Sequence, residues 1–277
     1  MSFIEVHITA EDPSVSEILM AELGEVGFDT FEELDNGLKA YIETENFDQA
    51  SLDEICGRYQ DSFDFNVGTR TVEKENWNKK WEENYDPIEV DERCIVRATF
   101  HQPEKNYPIE IVITPKMSFG TGHHATTWQM LKLQMDVDFS GKKVLDVGCG
   151  TGVLAIMAAK LGARSIEATD IDDWCIENST ENFELNGLPN VRIQKGEIAD
   201  LKFDKQFDII LANINKNVLL NEIGHYNKLL AENGLLFLSG FYEGDVEDIA
   251  SCAHQYELQR TQSSSKDKWA ALVFSKN

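Results

Sequence analysis

The stretch Lys143-Val144-Leu145-Asp146-Val147-Gly148-Cys149-Gly150-Thr151-Gly152 decides the fold. An apolar strand runs straight into a glycine-rich turn, and the residues from Val153 to Leu161 read as a helix. In an open α/β sheet such a turn lies at the carboxyl end of a central strand, where ligands bind. Glycines let the backbone approach a ligand closely, and the helix N-terminus offers unpaired N–H groups. A second strand, Ser165 to Thr169, ends in Asp170, 20 residues beyond Gly150. An acid there can accept hydrogen bonds from both ribose hydroxyls, which points to a nucleoside cofactor. The dinucleotide fingerprint G-x-G-x-x-G is not met, because Val153 stands at its third glycine and the glycines run G-x-G-x-G.

Outward from this loop, helical and strand patterns alternate from about Met117 onward, the grammar of a mostly parallel sheet covered by helices. Val191 to Lys195 reads as a third strand leading into Gly196-Glu197-Ile198-Ala199, and Phe207 to Ala212 as a fourth that delivers Asn213. Arg93 to Phe100 and Pro108 to Thr114 are expected to pair as a hairpin around a polar turn. Glu73 to Tyr85, with Trp77 and Trp81 four residues apart, is expected to be a connecting helix ended by Pro87, its tryptophans packed rather than ligand-binding.

The first 72 residues read as a unit of their own. Ile4, Val6 and Ile8 alternate with Glu5 and His7, a half-buried strand. Val15, Ile18, Leu19 and Leu23 follow at helical spacing. Phe28 to Leu34 and Leu38 to Glu43 flank Asp35-Asn36-Gly37, a hairpin signal. A second helix (Phe47 to Tyr59) and a last strand (Phe63 to Val72) complete β-α-β-β-α-β, a ferredoxin-like order. The expected division is 1–72 for this α+β domain, 73–87 for the linker and 88–277 for the α/β domain.

Composition limits the function classes. The chain has 277 residues, 25 Lys+Arg and 49 Asp+Glu, hence a net charge of −24. That charge repels phosphate backbones, and no dense Lys/Arg cluster offsets it, so a basic protein partner is expected and a direct nucleic-acid substrate is not. The longest apolar run, Val153 to Ala159, falls far short of the ~20 residues that span a bilayer, so no membrane association is expected. Met1 to Val6 lacks a basic region followed by an apolar one, so no export signal is expected. Five scattered cysteines without a C-x-x-C pair argue against a disulfide framework or a structural zinc, and for a reducing, cytoplasmic setting.

With these motifs assembled, Asp146-Val147-Gly148-Cys149-Gly150-Thr151-Gly152 with Asp170 resembles the S-adenosylmethionine site of Rossmann-like class I methyltransferases. The segment Phe119-Gly120-Thr121-Gly122-His123-His124-Ala125-Thr126-Thr127, followed by the glycine loop and Ala212-Asn213-Ile214, is similar to PrmA, the family that methylates large-subunit ribosomal protein eleven. The resemblance covers nearly the whole chain. It implies an S-adenosylmethionine site with contacts from Thr127, Gly148, Gly150, Asp170, Ile198 and Asn213, and a small domain that captures the ribosomal protein. The chain departs from the family pattern at Thr114-Pro115-Lys116, where Asp-Pro-Gly is usual, and at Asn215-Lys216-Asn217. Both departures fall where a target would enter.

The resemblance further implies methyl transfer to lysine side chains, possibly also an N-terminal amine. Asn213 is the candidate to orient the amine as an acceptor; an asparagine cannot serve as a base. His123 and His124 are expected to shape the loop rather than titrate in catalysis, and Cys149 to pack. A metal is not expected, and a monomer is. The alternative is a nitrogen methyltransferase acting on another protein or a small-molecule amine. Amide and nucleobase enzymes typically carry [ND]-P-P-[YF] after the fourth strand, and Asn213-Ile214-Asn215-Lys216 lacks the prolines and aromatic that shape a planar slot. A non-enzymatic cofactor-binding regulator is disfavoured by the intact loop together with Asp170 and Asn213.

Overall fold

The computed structural model describes residues 2–10, 12–34, 36–60, 62–73, 85–103, 105–116 and 118–277. The chain divides into two compact units, 1–84 and 85–277. The expected connecting helix with Trp77 and Trp81 lies outside the described residues.

In the first unit the order is β1 (Ser2–Ala10), α1 (Pro13–Glu25), β2 (Thr30–Leu34), β3 (Gly37–Glu43), α2 (Gln49–Tyr59) and β4 (Phe65–Glu73). The four strands form one antiparallel sheet in the order β2-β3-β1-β4, as a ferredoxin-like fold requires. Period-two alternation turns Ile4, Val6, Ile8, Leu38, Ala40 and Ile42 to one face, where they pack with Val15, Leu19, Leu23, Leu52 and Ile55 of the helices. Asp48 caps α2 by accepting from the backbone N–H of Ala50 and Ser51. Gly37, at φ +143°, lies so close to β1 that a Cβ would strike the Ile8 carbonyl. On the other face Glu5, only 4% exposed, accepts from the Tyr41 hydroxyl at 3.0 Å and from both sides of the Arg70 guanidinium at 2.7 and 2.8 Å.

The second unit is built on a seven-stranded sheet in the order β10-β9-β8-β11-β12-β14-β13. Its strands are β8 (Lys143–Val147), β9 (Ser165–Asp170), β10 (Arg192–Lys195), β11 (Phe207–Asn213), β12 (Leu230–Tyr242), β13 (Leu258–Lys266) and β14 (Trp269–Lys276). The first five are parallel, and β14 runs antiparallel between β12 and β13. Helices α3 (Ala125–Gln134), α4 (Val153–Lys160), α5 (Asp173–Leu185), α6 (Lys216–Leu229) and α7 (Val246–His254) cover it. Both faces are buried, so alternation along one strand divides residues between two cores. Val144, Ile209 and Leu211 join the core with α3, α4 and Phe183 of α5; Leu145, Ile210 and Ala212 join the one with α6 and α7. This explains the continuous apolar runs in the sequence.

One expectation is corrected. Strands β6 (Cys94–Ala98) and β7 (Ile109–Ile113) are not a hairpin; they pair in parallel, and β5 (Ile88–Val90) lies antiparallel on the other side of β6. Parallel pairing requires the chain to return to the start of β6 before β7 begins. The free edge of β7 is then satisfied by side chains. Asn178 and Asn182 of α5 and Asn186, which caps its C-terminus, lie one above another at i, i+4 and i+8. Asn186 accepts from Val112 N (3.1 Å) and donates to Val112 O (2.6 Å). Asn182 accepts from Thr114 N (2.7 Å), and Asn178 donates to Thr114 O (3.1 Å).

Asn182 also donates to the carbonyl of Thr151 in the glycine loop at 2.9 Å, so one buried amide ties β7 to that loop. Replacing it orphans two backbone groups, the buried carbonyl of Thr151 and the half-buried N–H of Thr114. Asn182→Ala is expected to lower stability by about 2–4 kcal/mol, measured as a fall in the urea midpoint at unchanged slope.

Candidate active site

The strand order reverses between the parallel neighbours β8 and β11, the place where open α/β sheets bind ligands. A cavity of about 710 Å³ opens there at the carboxyl ends of the strands. Two glycine segments form its floor by interlocking. Thr151 N donates to Phe119 O at 2.9 Å, and Thr151 Oγ1 donates to Gly120 O at 2.7 Å. Gly150 (φ +54°) sits against the Phe119 carbonyl so closely that a Cβ would collide with it.

Asp170 closes this floor from the side. Its Oδ2 accepts from Gly150 N at 2.9 Å and its Oδ1 from Asp172 N at 3.1 Å. A carboxylate has about four lone-pair sites, so roughly two remain for a ligand's hydroxyls. Asp146, one strand-end earlier, accepts from Ala155 N of α4 at 3.0 Å, while its Oδ1 is buried without a partner. Full burial, reinforced by the negative charge of Asp170, pushes the Asp146 carboxyl up to about 7 against the pull of that hydrogen bond.

Gly148, Gly150, Asp170, Ile198 and Asn213 all line the cavity. Thr127 does not. It is fully buried behind Asn213, whose Nδ2 donates to the Thr127 hydroxyl at 3.3 Å; Thr126 lines the wall instead. This leaves Asn213 Oδ1 buried with no hydrogen-bond partner. An unpaired buried acceptor is unfavourable unless something donates to it, and here it belongs to a residue of the cavity wall.

The wall beside Asn213 is aromatic. Phe119, His124, Trp269 and Tyr242 stand in a row, with ring centres 5.2, 4.6 and 4.1 Å apart in turn. His124 caps α3: its Nδ1 accepts from Thr126 N at 3.4 Å and lies 2.7 Å from the Thr126 hydroxyl, so that nitrogen is engaged by Thr126. His123 is outside the cavity; its ring stands 4.8 Å from Tyr85 and its Nδ1 contacts the Thr121 hydroxyl at 3.1 Å. Cys149 is buried, and burial raises its thiol well above the ordinary range, as suits a packed side chain. At the departure from the family pattern, Asn215 caps α6 by accepting from Val218 N, and Lys216 pairs with Asp245 and Asp248 at 2.6 Å each.

Two groups of wall residues escaped the sequence reading. Trp269 comes from β14, an antiparallel strand 56 residues beyond Asn213, and no local pattern announces it. Val218, Asn221, Glu222 and His225 come from α6. Their three- and four-residue spacing was a readable signal, because the helix starts just after Asn213.

A parallel sheet with a glycine loop at its switch point, an acid 20 residues on and a buried acceptor at the fourth strand's end define an S-adenosylmethionine-dependent methyltransferase. The family model described as "Ribosomal protein L11 methyltransferase (PrmA)" matches residues 6–277. The chain belongs to that family. It is 40% identical over 268 residues to the ribosomal protein L11 methyltransferase of Porphyromonas gingivalis, covering 93% of this chain and 90% of that protein. It is 38% identical over 280 residues to that of Phocaeicola vulgatus, covering 99% of each. A solved ribosomal protein L11 methylase from Lactobacillus delbrueckii subsp. bulgaricus is 31% identical, with a TM-score of 0.64 over 70% of this chain and 100% of that one.

Two outcomes follow from this geometry. Gly150→Ala should abolish cofactor binding in calorimetry, because both its φ and the Phe119 carbonyl forbid the methyl group. The second concerns Asp146. Between about pH 4 and pH 7 the folded chain keeps a proton at Asp146 that the unfolded chain, with its carboxyl near the ordinary 3.8, has released. Stability therefore falls as pH rises through that window, by up to about 1.4 kcal/mol per unit from this group. Asp146→Asn should flatten the curve of unfolding free energy against pH between pH 5 and pH 7 relative to the native chain, as chemical denaturation will measure.

Proposed function

We propose that this chain transfers methyl groups from S-adenosylmethionine to amines of ribosomal protein L11, on lysine side chains and the N-terminus. The observation that carries the amine reading is Asn213 Oδ1, a buried acceptor without a donor, set in a wall shared with His124 and Trp269. Gly148 and Gly150 would bear the methionine portion, Asp170 the ribose and Ile198 the base, with Thr127 acting through Asn213 rather than by contact.

The chemistry sets what these residues must do. A lysine amine with a reference pKa of about 10.4 is protonated at pH 7, and neutralising it costs about 4.6 kcal/mol. The cofactor supplies an electrophilic methyl on a positive sulfonium, whose charge disfavours a neighbouring ammonium. Phe119, Ile214 and Trp269 give the approach an apolar lining, which disfavours the ammonium further. Asn213 Oδ1 accepts one N–H of the free amine and so orients its lone pair for in-line attack. The Nδ2 donor bonds Thr127 at 3.3 Å, which leaves Oδ1 as the amide atom free to accept from the amine. The proton lost from the amine goes to water, since asparagine takes none.

Capture of the target is assigned to the small unit. Residues 1–84 hold six Lys+Arg against 21 Asp+Glu, a net of −15 out of the chain's −24. Such a surface suits a basic protein. A cytoplasmic setting is supported by five free, scattered cysteines and by the lack of any helix, among the described residues, long and apolar enough to cross a membrane.

The deciding experiment is incubation with radiolabelled S-adenosylmethionine and purified L11, followed by mass spectrometry of the labelled peptides. Label on lysine and N-terminal amines is expected; label confined to another protein or a small amine overturns the target. Asn213→Ala should cut turnover by roughly 10²-fold or more, the scale of losing a positioned polar group, with cofactor affinity changed much less. Removing residues 1–84 should leave cofactor binding intact and abolish L11 methylation; normal methylation by the shortened chain would refute the capture role.

A further inference from the structure

One arm of the cofactor cavity is used neither by the glycine loops nor by the aromatic wall. Helix α6 presents Val218, Asn221, Glu222 and His225 along it, one helical face running roughly 10 Å at about 1.5 Å per residue. Gly196, Glu197 and Ile198 line the same cavity, Glu197 near enough to Glu222 for their charges to repel and Ile198 in the core that α6 covers. Its surfaces are of two kinds. Ile198 and Val218 are apolar, as is Ile171 next to Asp170, and they suit the faces of a flat ring. Glu197, Glu222 and His225 are polar and suit its edge.

Glu222 is fixed in place. Its Oε2 accepts from the hydroxyl of Tyr226, which is fully buried in the core behind α6. One carboxylate oxygen bond leaves several lone pairs for a ligand's N–H groups. Burial and the nearby charge of Glu197 raise the Glu222 carboxyl, so a donor in the arm would relieve it. His225 adds a buried Nδ1 with no partner. A ribose on Asp170 would place its base in this arm, so the inference rests on the Asp170 reading proposed above.

We infer that Glu222, held by Tyr226 and neighboured by His225, accepts from the exocyclic amine of the cofactor's adenine and rejects a base that carries a carbonyl there. Adenine offers two N–H donors at that position. Hypoxanthine offers only an acceptor, which would face a carboxylate with no hydrogen between them. Glu222 is then a specificity determinant, far from the methyl group and without a part in the transfer itself.

The test is calorimetric titration of the full chain with S-adenosylhomocysteine and S-inosylhomocysteine. The native chain should prefer the adenosyl ligand by roughly 10- to 100-fold, the range for a hydrogen bond to a charged group. Glu222→Gln should bring the ratio near unity, because an amide can turn its NH₂ toward a carbonyl. Tyr226→Phe, which releases Glu222 without altering its charge, should narrow the ratio in the same direction. A ratio unmoved in both variants overturns the inference, as does a collapse in Glu197→Gln while Glu222→Gln keeps its preference. Asp170→Ala separates the two readings: it should weaken both ligands equally and leave the ratio alone. If Asp170→Ala weakens neither ligand, the ribose assignment fails while the Glu222 ratio still reports on the base.

Discussion

Everything at the active site depends on how Thr151 is held. Its N–H and hydroxyl donate to the carbonyls of Phe119 and Gly120, and its own carbonyl accepts from Asn182. Three separate parts of the chain are thereby fixed at one residue: the segment before α3, the turn after β8 and the buried face of α5. A hydroxyl side chain is needed at this position because the backbone alone could not supply the second donor. Its 0% exposure keeps water from competing for these bonds.

The fold was largely legible in the sequence because its signals are local. Strand, glycine turn, helix and Asp170 occupy one run of the chain, and their spacing is dictated by backbone geometry alone. The small unit was legible for the same reason, since alternation in β1 and the Asn36-Gly37 turn act within a few residues of each other. The relation of β6 to β7 was not. Ten residues, most of them polar, between two short apolar runs suit a hairpin loop and a parallel crossover equally, and α5 lies against the far edge of β7. Its three asparagines satisfy the edge that an antiparallel partner would otherwise have covered.

At the site, the glycines, Asp170 and Asn213 were readable because each terminates a strand of the central sheet. Thr127 stands behind Asn213 while Thr126 lines the wall, since two adjacent threonines on a helix face different ways and sequence does not say which faces inward. Trp269 was invisible because its position depends on the antiparallel insertion of β14 beside β12, a long-range pairing. His124 was readable as a residue that shapes the loop, and its role as the cap of α3 gives that reading a physical form.

The unequal division of charge between the two units has a kinetic side. With −15 carried by residues 1–84 and the remaining −9 spread over 193 residues, the protein is electrically lopsided. On the capture role proposed above, a basic partner diffusing nearby would be drawn first to the small unit, at distances set by the Debye length, about 8 Å at physiological ionic strength. Added salt would therefore slow encounter while leaving the buried chemistry of the cavity untouched. Capture would become limiting as ionic strength rises, and the enzyme's throughput would depend on its medium more than on its active site.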